Sequence, residues 1–277
     1  MSDRMQTETV QAIENLQQDL ALLVSAAVSA GDAALQFFRQ GEETSAAITY
    51  KDGNSPVSEA DIAANDILER MLRAARPDHA WVSEETLDDE TRLAARRLFV
   101  VDPIDGTRAF IAGKLEWCVS AALVIDGMPA AGVIHLPALG ITYQAAFGLG
   151  AFAKGKRLVC SQQTRLKGAL CAGPKSALEQ LQKSVEGDLR LMPRVPSLAY
   201  RLAMAADGTV DLALASTGAH DWDIAAADII LRESGAGLVD LDHQPLVYNR
   251  VSLKRNALCA GPAALTLQAA RVLGLHR

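Results

Sequence analysis

A chain of 277 residues with 49% hydrophobic and 22% charged side chains carries enough apolar material for one large or two ordinary folded units, which excludes a disordered chain. Its net charge of -6 excludes a chain-wide basic surface, so nucleic acid is not the expected partner, whereas a small anion can still be held through metal ions and helix N-termini. Four cysteines (Cys118, Cys160, Cys171, Cys259) include no C-x-x-C pair and three stand in apolar runs, so they read as buried free thiols in a reducing cytosol.

In chain order, apolar positions at helical spacing (Leu20, Leu23, Val24, Ala27, Val28, Ala34, Leu35) predict one long helix or two in series over about 8–40. Its apolar stretch Leu20–Ala30 follows Asp3, Glu8, Glu14 and Asp19, unlike a signal peptide, and is too short to span a bilayer. A core-facing helix in a cytoplasmic protein with no membrane association is expected. Pro56 opens a second helix running to about Arg76, with Ser58 and Asp61 at capping-box spacing and Pro77 as the stop. A short strand at His79–Ser83 delivers Glu84 and Glu85, and 88–97 suits a surface helix or ordered loop. The apolar run Leu98–Val101 predicts a buried strand that ends in Asp102-Pro103-Ile104-Asp105-Gly106-Thr107, taken as a tight turn where the chain changes direction.

Strands at Cys118–Ile125, Ala131–His135 and Ile141–Ala146, separated by turn formers, continue as an antiparallel meander through Phe152 and Arg157–Val159. Beyond 165 the pattern alternates: strands at Ala169–Ala172, 189–192, Asp211–Ala215, 238–241 and 257–260, with helices at 176–184, 197–206, 222–234 and the C-terminus. This predicts an α+β layered protein of two units: 1–160, with the antiparallel sheet and the acidic turn, and 161–277, an α/β unit that completes an active site.

Acids stand at the ends of predicted elements: Asp61, Glu84, Asp102, Asp105 and Asp223. Taken singly, Asp61 and Asp223 suit helix caps and Glu84-Glu85 a solvated pair. Two acids in the Asp102–Asp105 turn, however, repel each other unless a cation lies between them. Hard oxygen donors suit Mg²⁺, and a pair of such ions about 4 Å apart neutralises phosphate charge and activates a water for in-line displacement. Gly106 and Thr107 would meet the phosphate at a helix N-terminus, and Thr107 beside Glu84 would orient the water. The three-residue spacing of Asp102 and Asp105, with Pro103 between, does not fit the D-x-D-G-T nucleophile of haloacid-dehalogenase-type phosphatases. No serine or cysteine stands in a nucleophile elbow.

Glu84-Glu85, the D-P-I-D-G-T string at Asp102–Thr107 and the W-D-x-A-A string at Trp222–Ala226, in that order within about Lys51–Gly237, resemble the inositol monophosphatase family of Mg²⁺-dependent, lithium-sensitive phosphatases. The resemblance implies a layered αβαβα sandwich, often a homodimer. It further implies that Glu84, Asp102 and the Ile104 carbonyl hold one Mg²⁺ and that Asp102, Asp105 and Asp223 hold a second. Asp61 with Glu84 would hold a weaker third ion or its water. Glu84, Thr107 and Asp61 become the catalytic set, and Asp105, Gly106, Thr107, Asp223 and Arg108 the substrate contacts. Glu85 has no ligand role in this scheme.

Where animal inositol monophosphatases carry a glutamate seven residues before the W-D aspartate, this chain has Ser216. The run Ser216–Asp223 looks closer to bacterial 3'(2'),5'-bisphosphate nucleotidases, and Arg108 offers a charge for a second phosphate or a surface ion pair. The expected substrate is a small phosphorylated metabolite: 3'-phosphoadenosine 5'-phosphate first, then inositol 1-phosphate, then histidinol phosphate. The non-enzymatic alternative is a regulatory binding protein on a phosphatase scaffold.

Overall fold

Cys118–Val124 are buried without a break, and around runs of this kind the chain builds its two sheets. The computed structural model describes residues 2–51, 55–185 and 188–274, with side chains from residue 14 onward, so the side chains of Asp3 and Glu8 lie outside the described residues. The first helix, α1 (Ser2–Leu35), is continuous and ends earlier than its periodicity predicts. Its last turn tightens through Phe38 N–H to Leu35 O, and Phe38 leaves the helix to pack on Phe110 and Trp117. Glu14–Leu35 is long and apolar enough to cross a membrane by length and composition, and here Leu23, Ala26, Ala27 and Ala30 bury that face in the core.

Strands β1 (Ile48–Lys51) and β2 (Ser55–Ser58) form an antiparallel pair that periodicity does not reveal, so Pro56 extends a strand and α2 (Glu59–Ala75) starts only at Glu59. The strand β3 (Ala80–Ser83) leads to a short 3-10 turn at Glu90–Ala94, whose Arg92 is buried and bonded at both ends to Asp88. Strand β4 (Arg97–Asp105) corrects the predicted turn: the chain stays extended through both acids and changes direction only at Gly106, where φ is 97°. The pairing with its neighbour slips between Asp102 and Asp105, as it must around a proline that has no N–H to donate. Helix α3 (Thr107–Ile111) then begins at once.

The meander follows as β5 (Cys118–Ile125), β6 (Met128–Leu136), β7 (Ile141–Ala146), β8 (Gly150–Ala153) and β9 (Lys156–Arg157). Among the described residues, β3 to β9 form a seven-stranded sheet in chain order, antiparallel except for the β3–β4 pair. The second half gives β10 (Leu170–Ala172), α4 (Lys175–Ser184), β11 (Arg190–Leu191), α5 (Leu198–Ala206), β12 (Leu212–Ala215), α6 (Asp221–Glu233), β13 (Gly237–Asp240), β14 (Leu258–Gly261) and α7 (Ala263–Gly274). Its strands pair in the order β11-β10-β12-β14-β13.

Five layers result, α1/α2, large sheet, α5/α6, small sheet, α4/α7, which is the expected αβαβα sandwich. Alternation along β4 explains where the acids go. Phe99 and Val101 face α1 and α2, whereas Leu98 and Val100 join the core around α5 and α6. Asp102 continues the second set and so turns toward the central helices. All four cysteines are free and buried.

Candidate active site

The end of β4 meets the first turns of three helices, and each brings a carboxylate or donors for one. Asp61 stands at N3 of α2, where its Oδ2 accepts the Ser58 backbone N–H at 2.8 Å and the Ser58 hydroxyl at 2.6 Å. The capping box expected from Ser58 and Asp61 is therefore present. Thr107 Oγ1 lies 3.2 Å from Asp61 Oδ1 and 3.1 Å from the Ile104 carbonyl, so its one proton faces two acceptors across the cleft wall. Asp102 Oδ1 accepts the Ile104 N–H at 3.0 Å. Asp105 Oδ2 takes the Ser197 hydroxyl and the Ala199 N–H, both at 2.6 Å, at the start of α5. Asp223, at N3 of α6, accepts the His220 N–H at 2.7 Å.

These acids converge. Oxygens of Asp102, Asp105 and Asp223 lie within 4.8 Å of one another. They line a cleft of about 250 Å³ together with Glu84, Ile104, Gly106, Thr107 and Arg108, so the site residues expected from the sequence share one cavity wall, with Asp61 behind Thr107. Gly106 sits at a φ that only glycine adopts cheaply, and an added Cβ would meet Glu116 O at 3.3 Å. Glu84 reaches the cleft beyond β3, and Lys51 stands 3.7 Å from it while bonding Glu85 at 2.6 Å. Glu85 is thus a buried partner of Lys51 rather than half of a solvated pair.

Burial drives the electrostatics. It raises the Asp61 carboxyl to about 6 against the bonds from Ser58, and it raises Glu84 to about 7 against the attraction of Lys51. Asp102 and Asp223 are pushed well above the usual carboxylate range, first by burial and then by neighbouring carboxylates. Asp105 is raised by burial and held back by Ser197, Ala199 and Leu198. Acids gathered in this way cannot all ionise at neutral pH without added positive charge. The donor set is all oxygen, from carboxylates and the Ile104 carbonyl, which fits hard divalent cations. Glu84, Asp102, Ile104, Asp105 and Asp223 are the residues that can hold them.

Four contributors escape sequence reasoning. Ser197 is the N-cap of α5, accepting from Tyr200 N–H while donating to Asp105, and only its place before an apolar helical run hints at the cap. Lys51 belongs to the unpredicted hairpin. Arg194 and Pro196 line both the acidic cleft and a neighbouring cavity of about 630 Å³. That cavity also holds Lys175, Arg201 and Ser216 beside Leu178, Leu191 and Met192, so Ser216 faces the second cavity while the exposed Arg108 lines the first.

A family model for the inositol monophosphatase family matches residues 17–273. The chain is 34% identical over 218 residues to a 3'(2'),5'-bisphosphate nucleotidase CysQ of Aggregatibacter actinomycetemcomitans, covering 75% of this chain and 80% of that protein. It is 33% identical to an inositol-1-monophosphatase of Mesorhizobium japonicum, covering 80% and 85%. Among solved structures, the extragenic suppressor protein suhB of Bartonella henselae superposes with a TM-score of 0.78 at 28% identity, over 95% of this chain and 98% of that one.

Proposed function

The chain belongs to the inositol monophosphatase family, and we propose that this metal-dependent phosphatase acts on a small bisphosphorylated metabolite of the 3'-phosphoadenosine 5'-phosphate kind. The observation that carries the choice is the cavity beside the acidic cleft. Lys175, Arg194 and Arg201 outnumber its one carboxylate, Glu179, which stands 3.7 Å from Lys175, and Leu178, Leu191 and Met192 bring apolar wall. A leaving group with a second phosphate and a flat base uses both features, whereas a polyol such as inositol uses neither. Ser216, in place of a carboxylate that would repel such a phosphate, points the same way.

In this reading Glu84, Asp102, the Ile104 carbonyl, Asp105 and Asp223 hold two Mg²⁺ ions, with Asp61 and Glu84 beside a weaker third. When bound, such ions neutralise phosphate charge and make a water more acidic. The protein's own groups do the rest. Gly106 and Thr107 offer first-turn N–H groups, which have no acceptor within their helix, to the phosphate oxygens. Thr107 Oγ1 directs its proton to Asp61 or Ile104 O and so turns a lone pair toward the attacking water, while Glu84 accepts that water's proton. Arg194, at the mouth between the two cavities, grips the second phosphate of the leaving group.

The test compares kcat/KM for 3'-phosphoadenosine 5'-phosphate, inositol 1-phosphate and histidinol phosphate under Mg²⁺, in the wild type and in Arg194→Ala. The bisphosphate is expected to be the best substrate. Loss of one charge-assisted phosphate contact should cost it about 10–100-fold in Arg194→Ala, with the monophosphates nearly unaffected. A higher kcat/KM for inositol 1-phosphate in the wild type would refute the proposal.

A further inference from the structure

Helix α6, which carries Asp223, is apolar on almost every side. Ile224, Ala225, Ala226, Ala227, Ile229, Ile230 and Leu231 are all buried between the two sheets. Small and medium apolar side chains all round a helix hold it in place but specify its rotation weakly, since one alanine face replaces another at little cost. Yet a metal ligand on the first turn needs its rotation set to a fraction of an ångström.

Two buried acids break the apolar pattern. Asp221 and Asp228 lie seven residues apart and so on one face of the helix, and both are at most 1% exposed. The loop between β13 and β14 meets this face. Arg255 Nε donates to Asp221 Oδ1 at 2.5 Å, Arg255 Nη2 to Val247 O at 2.8 Å, and the guanidinium lies 5.0 Å from the Tyr248 ring centroid. Tyr248 Oη donates to Asp228 Oδ2 at 2.9 Å. The same loop is tied to the turn ahead of Asp223: Asp221 N–H to Leu253 O at 3.0 Å, Arg255 N–H to Ala219 O at 2.7 Å, and Gly218 N–H to Arg255 O at 2.9 Å.

The Asp221–Arg255 pair is not built for stability alone. Arg232 grips Asp228 with two parallel bonds, whereas Asp221 Oδ2 is buried without a hydrogen-bond partner among the described residues. A buried pair left with an unsatisfied oxygen is a poor stabiliser, and such pairs are better suited to specifying register.

We propose that Arg255 and Asp221 are positioning residues, which fix the rotation of α6 and thereby aim the Asp223 carboxylate at the metal site. The proposal rests on reading Asp223 as a metal ligand, and its test therefore measures metal binding as well as turnover. The variants are Arg255→Met, Asp221→Leu, both together, and Asp223→Asn as reference, each titrated with Mn²⁺ by calorimetry and heated in a calorimeter.

Each single change at the pair strands a buried charge and lowers Tm. The double variant removes both charges and recovers most of that loss. Its Mn²⁺ dissociation constant should nevertheless stay raised by about 10–100-fold, with the Mg²⁺ requirement for phosphate release raised in parallel. If the double variant recovers stability and metal affinity together, the pair is structural only and the proposal is overturned. If Asp223→Asn leaves metal affinity unchanged, the ligand reading fails and takes the proposal with it. Should the double variant not fold, Arg255→Lys decides. It keeps the charge but loses the fork shared between Asp221 and Val247, so severalfold weaker Mn²⁺ binding supports positioning and wild-type binding overturns it.

Discussion

Gly132 on β6 packs directly against the backbone of α6, and Gly132→Ala turns that approach into a measurement. A Cβ at this position would stand 2.7 Å from Ile229 Cγ2, 2.9 Å from Ala226 Cα and 3.0 Å from Ala226 O. The isoleucine methyl can swing aside; the helix backbone cannot. Ordinary carbon contact lies near 3.5–4.0 Å, so α6 must retreat by roughly half to one ångström. Overpacking of this kind costs about 1–3 kcal/mol, which in a chain of this size lowers Tm by roughly 2–5 °C. Asp223 lies one turn before Ala226 and moves with the helix. A misplacement of about 1 Å at a reacting centre costs up to about a hundredfold, so kcat/KM should fall by about 10–100-fold and recover in part at high Mg²⁺. Differential scanning calorimetry and phosphate release across a Mg²⁺ titration read the two effects. Wild-type Tm with a wild-type Mg²⁺ requirement would refute the wedge between α6 and β6. A lowered Tm with an unchanged Mg²⁺ requirement would refute the transmission to Asp223.

Two further expectations follow from the same site. Asp102→Asn is expected to keep the fold, checked by far-UV circular dichroism, but to remove a buried carboxylate from the cluster; turnover should fall beyond the roughly 10–100-fold typical of losing a group that only supports a ligand, and near-wild-type turnover would exclude Asp102 as a metal ligand. In metal-free protein, Asp61 raised to about 6 and Glu84 to about 7 hold protons that the unfolded chain has already released above pH about 4, so their contribution to stability is full below that pH and is lost as pH rises through about 6–7. The Tm gap between protein in Mg²⁺ and protein in chelator should therefore widen between about pH 5 and 7.5, and a gap that does not change with pH would contradict this assignment.

Local signals carried much of this architecture. The capping box of α2 is legible because Ser58 and Asp61 are three residues apart, and the strand at Leu98–Val101 because its apolar run must be buried. The path through Pro103 was not legible, since proline reads locally as a break and only pairing with β5, slipped by the bulge, keeps the chain extended to Asp105. The donors to Asp105 come from Ser197 and Ala199, 92 and 94 residues later, and Arg255 lies 34 residues from Asp221. No local periodicity encodes such meetings; they are products of topology. The second cavity is likewise formed by α4, β11 and the start of α5 coming together, so the cavity to which the substrate proposal appeals is not encoded in any local run.

A cap and a ligand are usually weighed as alternatives for an acid at a helix start, and in the proposed metal site the two roles would divide between the oxygens of one carboxylate. Asp61 takes both Ser58 bonds on Oδ2 and faces Thr107 with Oδ1. Asp105 gathers Ser197 and Ala199 on Oδ2, and Asp223 takes His220 on Oδ2. Asp102 does the converse, with Oδ1 fixed by Ile104 N–H. One oxygen anchored by backbone or hydroxyl donors sets the plane and direction of the carboxyl, so little side-chain entropy remains to be lost when the other oxygen binds. The capping role would thus prepare the carboxylate for the proposed binding role. An acid that capped with both oxygens would have fewer lone pairs to offer, and one that capped with neither would have to be ordered by the ion it holds.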